Sequence, residues 1–280
     1  NRLPQAISHV KAKPYFEVLS VVPHARSRWQ HIKEETRGVR RPEDEFIYET
    51  VVVGNAADAL KGILLNSDIG SVVLYEGFEK GSNGKDSFLE VFKEVIDFSS
   101  LDEGDFLSLR LAQAIKKIRP ELDIFLLSDQ SIEDFSGKPE SRIFSRIFYQ
   151  MEEPLEIHLS ILEAIHVRYR TPFFDNLKRY AERPIATFHA LPIARGKSVF
   201  TSNWISDMGE FYGPNLFLAE SSATTGGLDS LLEPTGNIKD AQEMAAKAFG
   251  ADRAFFVTNG TSTSNKMVLQ ALLVPGDIVI

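Results

Sequence analysis

The sequence predicts an α/β protein whose N-terminal part is a doubly wound parallel sheet of the flavodoxin or receiver kind. Two observations predict it. Short apolar runs alternate with amphipathic segments along the first half of the chain. That pattern belongs to parallel strands joined by crossover helices. About five such strands fall within about 130 residues, the size of a five-stranded doubly wound domain.

Taken in order, residues 1 to 14 read as an extended leader. Phe16–Val22 is a buried strand, and Phe46–Val53 has strand character. Between them, Arg26–Arg41 is charged and contains Gly38, so an irregular loop with a short helix is expected. Ala56–Leu65 is a helix, Ser71–Tyr75 a strand and Gly81–Gly84 a turn. Leu107–Ile118 is an amphipathic helix, with Leu107, Leu111, Ala114, Ile115 and Ile118 on one face, and Pro120 stops it. Leu122–Leu127 is a strand, and Ile147–Tyr149 the next. A phosphorylated receiver needs an acidic pair after its first strand and an Asp after its third. Here those places hold Pro23-His24-Ala25-Arg26 and Glu76-Gly77-Phe78. No carboxylate pair stands there to hold Mg²⁺, so the domain reads as structural.

Glu152–Arg183 reads as a helical linker, with Leu155, Leu159, Leu162 and Ile165 or His166 as its stripe. Thr171-Pro172 starts a helix as N-cap and N1. His158 and His166 lie eight apart and share a face. With no third ligand at metal spacing, they read as packed or solvated histidines. Trp204, Phe211 and Tyr212 form an aromatic cluster, a pattern more often core than cofactor contact, and no role is assigned to them. The domain boundaries that follow are residues 1–150, a linker over 151–185, and a second domain from 186 to 280.

The stretch with the most chemistry is Ala254–Lys266. Phe255–Val257 reads as a strand, Asn259-Gly260 as a turn and Met267–Leu273 as an apolar helix. Thr261, Ser262, Thr263 and Ser264 crowd the helix start. A helix start offers unpaired N–H groups and the positive end of the dipole. Glycine lets an anion approach the backbone, and hydroxyls add donors, as in a phosphate site. A plain Ser/Thr N-cap explains the same residues equally well. The stretch is neither G-x-x-x-x-G-K-[S/T] nor G-x-G-x-x-G. Upstream, Ile238–Phe249 is a helix capped by Asn237 and closed by Gly250. Its expected buried stripe is Ile238, Ala241, Ala245, Ala248 and Phe249. Ile278-Val279-Ile280 opens another strand after Pro275-Gly276-Asp277.

Composition is that of an ordinary globular protein, with 43% hydrophobic and 25% charged residues in 280. A net charge of −8 and the lack of a basic run argue against nucleic acid. With no cysteine there is no disulfide and no thiolate metal site, which fits a reducing cytoplasm. No apolar run reaches the ~18 residues of a membrane span. Asn1 in place of Met suggests trimming or missing residues, and no signal-peptide pattern is present.

Three segments follow one another: Gly227-Leu-Asp-Ser-Leu-Leu-Glu-Pro-Thr-Gly236, Phe249-Gly-Ala-Asp252 and Val257-Thr-Asn-Gly-Thr-Ser-Thr-Ser-Asn-Lys266. In order and wording they resemble the bacterial ornithine/lysine/arginine decarboxylases, over residues 211–280 and more weakly back to Thr171–Lys178. The resemblance implies that the second domain begins an aspartate-aminotransferase-like domain binding pyridoxal 5'-phosphate. It implies a basic amino-acid substrate and a cytoplasmic homodimer or higher homo-oligomer. It supports the receiver-like N-terminal domain, and it makes Gly260, Thr261, Ser262 and Thr263 the cofactor-phosphate loop. The cofactor-binding lysine, the stacking His and the Asp for the pyridine nitrogen come later in that family, so no catalytic residue is assigned in this chain and the second domain is expected to be incomplete. Phe188–Ser198 departs from the family's T-P-G-H-x-x-G wording. Two alternatives stay open: another fold-type-I enzyme, such as an aminotransferase or β-eliminating lyase, and, motivated by that departure, a non-catalytic interaction protein.

Overall fold

The structure, a computed structural model, describes residues 13–81, 107–129, 139–149, 153–188, 193–220 and 227–279. The chain separates into two units, Asn1–Tyr169 and Arg170–Ile280.

The first unit is built on a parallel sheet of five strands in the order β2-β1-β3-β4-β5. The strands are β1 Tyr15–Val21, β2 Ile47–Val53, β3 Ile69–Tyr75, β4 Asp123–Ser128 and β5 Arg146–Tyr149. This order is that of flavodoxin-like doubly wound sheets, with the chain reversing direction across the sheet between β1 and β3. Among the described residues its α-helices are α1 Ala25–Gly38, α2 Ala56–Leu65, α3 Leu107–Ile118 and α4 Pro154–Tyr169. Leu19, Val21, Val72, Leu74, Ile124 and Leu126 point to one face, where Leu60 and Ile63 of α2 and Leu111 and Ile115 of α3 cover them. Phe16, Val18, Val73, Phe125, Leu127 and Phe148 point to the other, beneath Ile161, Leu162 and Ile165 of α4. Both faces are apolar because both are covered, as in parallel sheets generally. Each of these side chains contributes roughly 1.5–3 kcal/mol on burial.

Local chemistry sets the helix ends. Asn55 caps α2, its side-chain oxygen accepting the Asp58 amide at 2.8 Å while its NH₂ donates to the Asp58 carboxylate at 2.9 Å. Gly70 allows α4 to approach β3, since a Cβ there would stand 2.9 Å from Phe16 Cδ2 and 3.1 Å from Ile165 Cδ1.

Three expectations change in this unit. Residues 25–38 form one continuous helix, not a loop with a short helix. Gly38 ends that helix, and its charges are spent in order: His31 pairs with Glu35, and Arg37 and Arg40 both reach Glu49 on β2. The segment 154–169 is no linker. It is the last helix of the doubly wound unit, fastened by Arg168, which pairs with Asp123 and donates to the Gly70 carbonyl. His158, Ile161, Leu162 and Ile165 are its buried residues, so its apolar stripe is rotated from the Leu155–Leu159 line. The Gly81–Gly84 turn lies outside the described residues beyond Gly81.

The second unit is helical throughout its described residues. It comprises α5 Pro172–Glu182, the short α6 Lys197–Phe200, α7 Ser206–Tyr212 and α8 Pro214–Leu218, then α9 Asn237–Phe249 and α10 Thr261–Leu272. Helices α9 and α8 pack on α5, and Phe200 meets Phe217 edge-on at 5.6 Å. The expected strand at 255–257 is not formed, and 278–279 are likewise outside any strand. A strand needs a neighbour for its N–H and C=O groups, and none is present among the described residues of this unit. Phe255 is 76% exposed and Ile278 87% exposed. The buried stripe of α9 also shifts: Ile238 and Ala246 are buried, whereas Ala248 and Phe249 face outward, because α9 docks on a helix and not on a sheet. Trp204 and Phe211 are exposed, which overturns their reading as core.

Candidate functional site

The second unit presents two long helix starts after glycine turns, and they are treated differently. At α9, Asp229 occupies the position an anion would take. Its carboxylate accepts amides from Ser230 at 2.9 Å, Thr235 at 3.1 Å, Gly236 at 2.8 Å and Ile238 at 3.0 Å. Partial burial pushes the Asp229 carboxyl up, but these four amides outweigh it and hold it below the usual carboxylate range. Asn237 does not cap this helix. It is the first helical residue, and its buried side-chain nitrogen has no partner among the described residues.

At α10 no such plug stands among the described residues. Gly260 is the N-cap, at φ 83° and ψ 172°, and no side chain caps the helix. A Cβ on Gly260 would meet nothing within 4 Å, so the space before the helix is open, and the positive φ is what favours glycine. Thr263 and Ser264 donate their amides to the Gly260 carbonyl at 3.1 and 3.2 Å. The amides of Thr261 and Ser262 have no acceptor among the described residues, and both residues are exposed. The Thr263 hydroxyl donates to the Asn259 carbonyl at 3.0 Å and braces the turn. Of the four residues singled out in the sequence, Gly260, Thr261 and Ser262 therefore form an open, uncapped helix start, and Thr263 braces the turn before it. The plain side-chain N-cap reading fails here because the cap residue is a glycine. Asp277 closes the turn after α10, accepting the Val274 amide at 2.8 Å.

Two further constellations were not legible in the sequence. Arg195, in the segment 188–198, is buried with φ 54°. Its guanidinium donates to the carbonyls of Tyr180, Ala181 and Arg183 at 3.3, 3.1 and 3.0 Å, stacks 4.5 Å over the Tyr180 ring, and so closes the C-terminus of α5. In the first unit, His158 Nε2 lies 2.9 Å from Asp44 Oδ2 and its Nδ1 3.0 Å from the Tyr48 hydroxyl. An ionised Asp44 can only accept, so Nε2–H donates to it, and the ring accepts the Tyr48 O–H at Nδ1. Burial pushes the Asp44 carboxyl up, but bonds from the Arg41 amide, His158 and the Arg41 side chain outweigh it and hold it low. His166 reaches the adjacent Glu45 at 2.9 Å. Both histidines are thus bound to carboxylates of one loop. A long-range partner such as Asp44 leaves no periodic trace in sequence.

After β3, Glu76 accepts the Ser128 hydroxyl at 2.6 Å. It is tied to the end of β4.

The described residues thus show a doubly wound α/β unit and a helical unit in which α10 starts at an uncapped glycine. Residues 171–280 match the family described as Orn/Lys/Arg decarboxylase, major domain. The constitutive ornithine decarboxylase of Escherichia coli K12 is 34% identical over 171 residues, covering 59% of this chain and 22% of that protein. The biodegradative arginine decarboxylase of the same organism is 27% identical over 250 residues, covering 85% of this chain and 32% of that protein. A solved lysine decarboxylase of Francisella novicida aligns over 95% of this chain and 33% of its own, with a TM-score of 0.46 and 20% identity. The chain is similar to the ornithine/lysine/arginine decarboxylases, and it spans less than a third of the length of these proteins.

Proposed function

We propose that this chain serves a pyridoxal-phosphate-dependent decarboxylase acting on a basic amino acid, lysine, ornithine or arginine. The observation that carries the proposal is the open start of α10 inside a segment matching the decarboxylase major domain. The residues fit the cofactor's phosphate. Two unpaired amides and two exposed hydroxyls converge where no Cβ intrudes, whereas the neighbouring α9 start is filled by Asp229. Such a cradle suits a dianion, since unsatisfied N–H groups and the helix dipole both favour negative charge.

When bound, the cofactor supplies an electron sink for the pair left by departing CO₂. The residues here do the binding. Gly260 lets the phosphate approach the backbone, Thr261 and Ser262 donate amides and hydroxyls to it, and Thr263 keeps the Asn259–Gly260 turn in place. No proton-transfer role is assigned to any of the described residues. The first unit serves as a scaffold, with Glu76 bound to Ser128. A cytoplasmic homo-oligomer is the assembly this reading favours, and no described helix is long and apolar enough to cross a membrane. The non-catalytic alternative rested on the altered segment 188–198. Arg195 gives that segment a structural duty at α5, so its wording does not speak for lost chemistry.

The test is an assay of the full-length protein that contains this chain, with pyridoxal phosphate and each of the three amino acids. Release of CO₂ from one of them, well above the free-cofactor rate, is expected. Amino-group transfer without CO₂, or no turnover with any of the three, would overturn the proposal.

A further inference from the structure

The first unit holds a second feature that the decarboxylase reading does not use. Between α1, α4 and the sheet lies a partly enclosed cavity of about 150 Å³, lined by Ser20, Arg28, Glu35, Thr50, Tyr75 and His158 among others. It sits over the C-terminal halves of β1 and β3, beside the point where the chain reverses direction across the sheet. In doubly wound folds, ligands bind at that end. The surrounding face is apolar, built from Val18, Val73 and Leu127. A polar lining at this spot therefore calls for an occupant.

Ser20 is 3% exposed and lines the cavity, and its hydroxyl is not engaged by another described side chain. The Tyr75 hydroxyl likewise has no partner among the described residues, and burial first, then the charge of Glu35, raises its pKa to about 12. It stays a proton donor at ordinary pH. The Arg28 side chain lies 5.6 Å over the Tyr75 ring and makes no ion pair among the described residues. The remaining polar groups are already engaged. Thr50 donates to Thr36 at 3.3 Å, His158 holds Tyr48 and Asp44, and Glu35 is 3.4 Å from His31. The groups left over are one guanidinium and two hydroxyl donors, a set that suits negative charge.

We propose that this cavity is a binding site for a small oxyanion, held by the Arg28 guanidinium and the hydroxyls of Ser20 and Tyr75. Its volume is that of about five waters in the liquid, so a phosphate or a short carboxylate fits and a nucleotide does not. Arg28 supplies the charge and a planar fork, and the two hydroxyls donate from the sheet side. Glu35 is the one carboxylate facing the site, and it is turned to His31. Inorganic phosphate and acetate are the two sources of this chemistry to be told apart.

The test is amide-resolved NMR of the 280-residue chain, titrated with inorganic phosphate or with acetate at constant ionic strength and without pyridoxal phosphate. Saturable shifts at Ser20, Arg28 and Tyr75 are expected with at least one of the two anions. Arg28→Gln should weaken that binding at least tenfold, and Arg28→Lys should weaken it less, since it keeps charge without the fork. Ser20→Ala, a volume-conserving change, should weaken it about three- to tenfold while leaving the spectrum otherwise intact. The absence of saturable shifts, or an unchanged titration in Arg28→Gln, would overturn the proposal. Shifts confined to residues 260–263 would also overturn it, because the anion would then be occupying the α10 cradle alone.

Discussion

Replacing Asp229 by Asn should loosen the start of α9 far more than an exposed loop substitution would. The two carboxylate oxygens divide the work. Oδ1 takes the Ser230 and Thr235 amides, and Oδ2 takes Gly236 at 2.8 Å, Ile238 at 3.0 Å and, more weakly, Lys239 at 3.4 Å. Asparagine keeps the shape but turns one oxygen into a donor. Either way round, at least two amides then face an NH₂. Bonds to a charged acceptor are worth about 1.5–3 kcal/mol, against 0.5–1.5 for a neutral one, and an N-cap lost to alanine costs about 0.5–2. Water reaches this half-buried site and recovers part of the loss, so the expected destabilisation of α9 is about 2–3 kcal/mol. At 1.4 kcal/mol per factor of ten, the amides of Ile238 and Lys239 should exchange with solvent about 30- to 150-fold faster in the variant. Hydrogen exchange read by NMR at neutral pH checks this. The wild-type protection also has a defined pH dependence. The folded Asp229 carboxyl is held low, so its contribution is complete above the unfolded value of about 3.9 and is lost as pH falls through the lower folded one. Equal exchange rates in the variant and wild type would refute the reasoning, because the nest would then be geometry without energy.

The buried pair in the first unit should be costlier to break. His158→Ala takes one partner from the Asp44 carboxylate, which keeps Arg41, strands the Tyr48 hydroxyl and empties the volume of a buried ring, and should lower stability by roughly 3–4 kcal/mol in urea unfolding, with Tyr48→Phe costing about 1. Asp44 is held low by its bonds, so its contribution is present above about pH 4 and disappears as pH falls through its folded value. Denaturant midpoints measured from pH 5 to pH 2 should therefore fall less steeply in Asp44→Asn than in the wild type. Arg195→Ala removes three bonds to the last carbonyls of α5 and should cost about 2–3 kcal/mol by thermal or urea unfolding, with Arg195→Lys recovering part of it.

How much of this was legible depends on the range of the interaction. The doubly wound unit is written locally. Ala56–Leu65 and Leu107–Ile118 carry their period and stops within a dozen residues, and both helices occur as the sequence predicts. The continuity of α1 was hidden by Gly38, because sequence does not show whether a glycine interrupts a helix or ends it. Helix α4 read as a linker because its burial depends on β3 and β4, with Gly70 supplying the gap that Ile165 enters. The start of α10 was legible because glycine, hydroxyls and an apolar helix are adjacent in the chain. Asp229, Asp44 and Arg195 were not, since apart from the neighbouring Ser230 and Arg41 their partners lie six to 114 residues away and nothing periodic marks them. The strand expected at 255–257 shows the opposite case, where an apolar run has β propensity but no neighbour to pair with among the described residues.

The central claim is that the start of α10 receives the cofactor's phosphate. It is tested most directly by titrating pyridoxal phosphate into the full-length protein and into its Thr261→Ala/Ser262→Ala double variant, following cofactor absorbance. Two hydroxyl donors to a charged phosphate, at about 1.5–3 kcal/mol each, predict a dissociation constant raised at least tenfold. Thr263→Ala, whose hydroxyl serves the Asn259 carbonyl, should raise it by less than about threefold, in keeping with a neutral bond of 0.5–1.5 kcal/mol at the low end. An unchanged dissociation constant in the double variant would contradict the account.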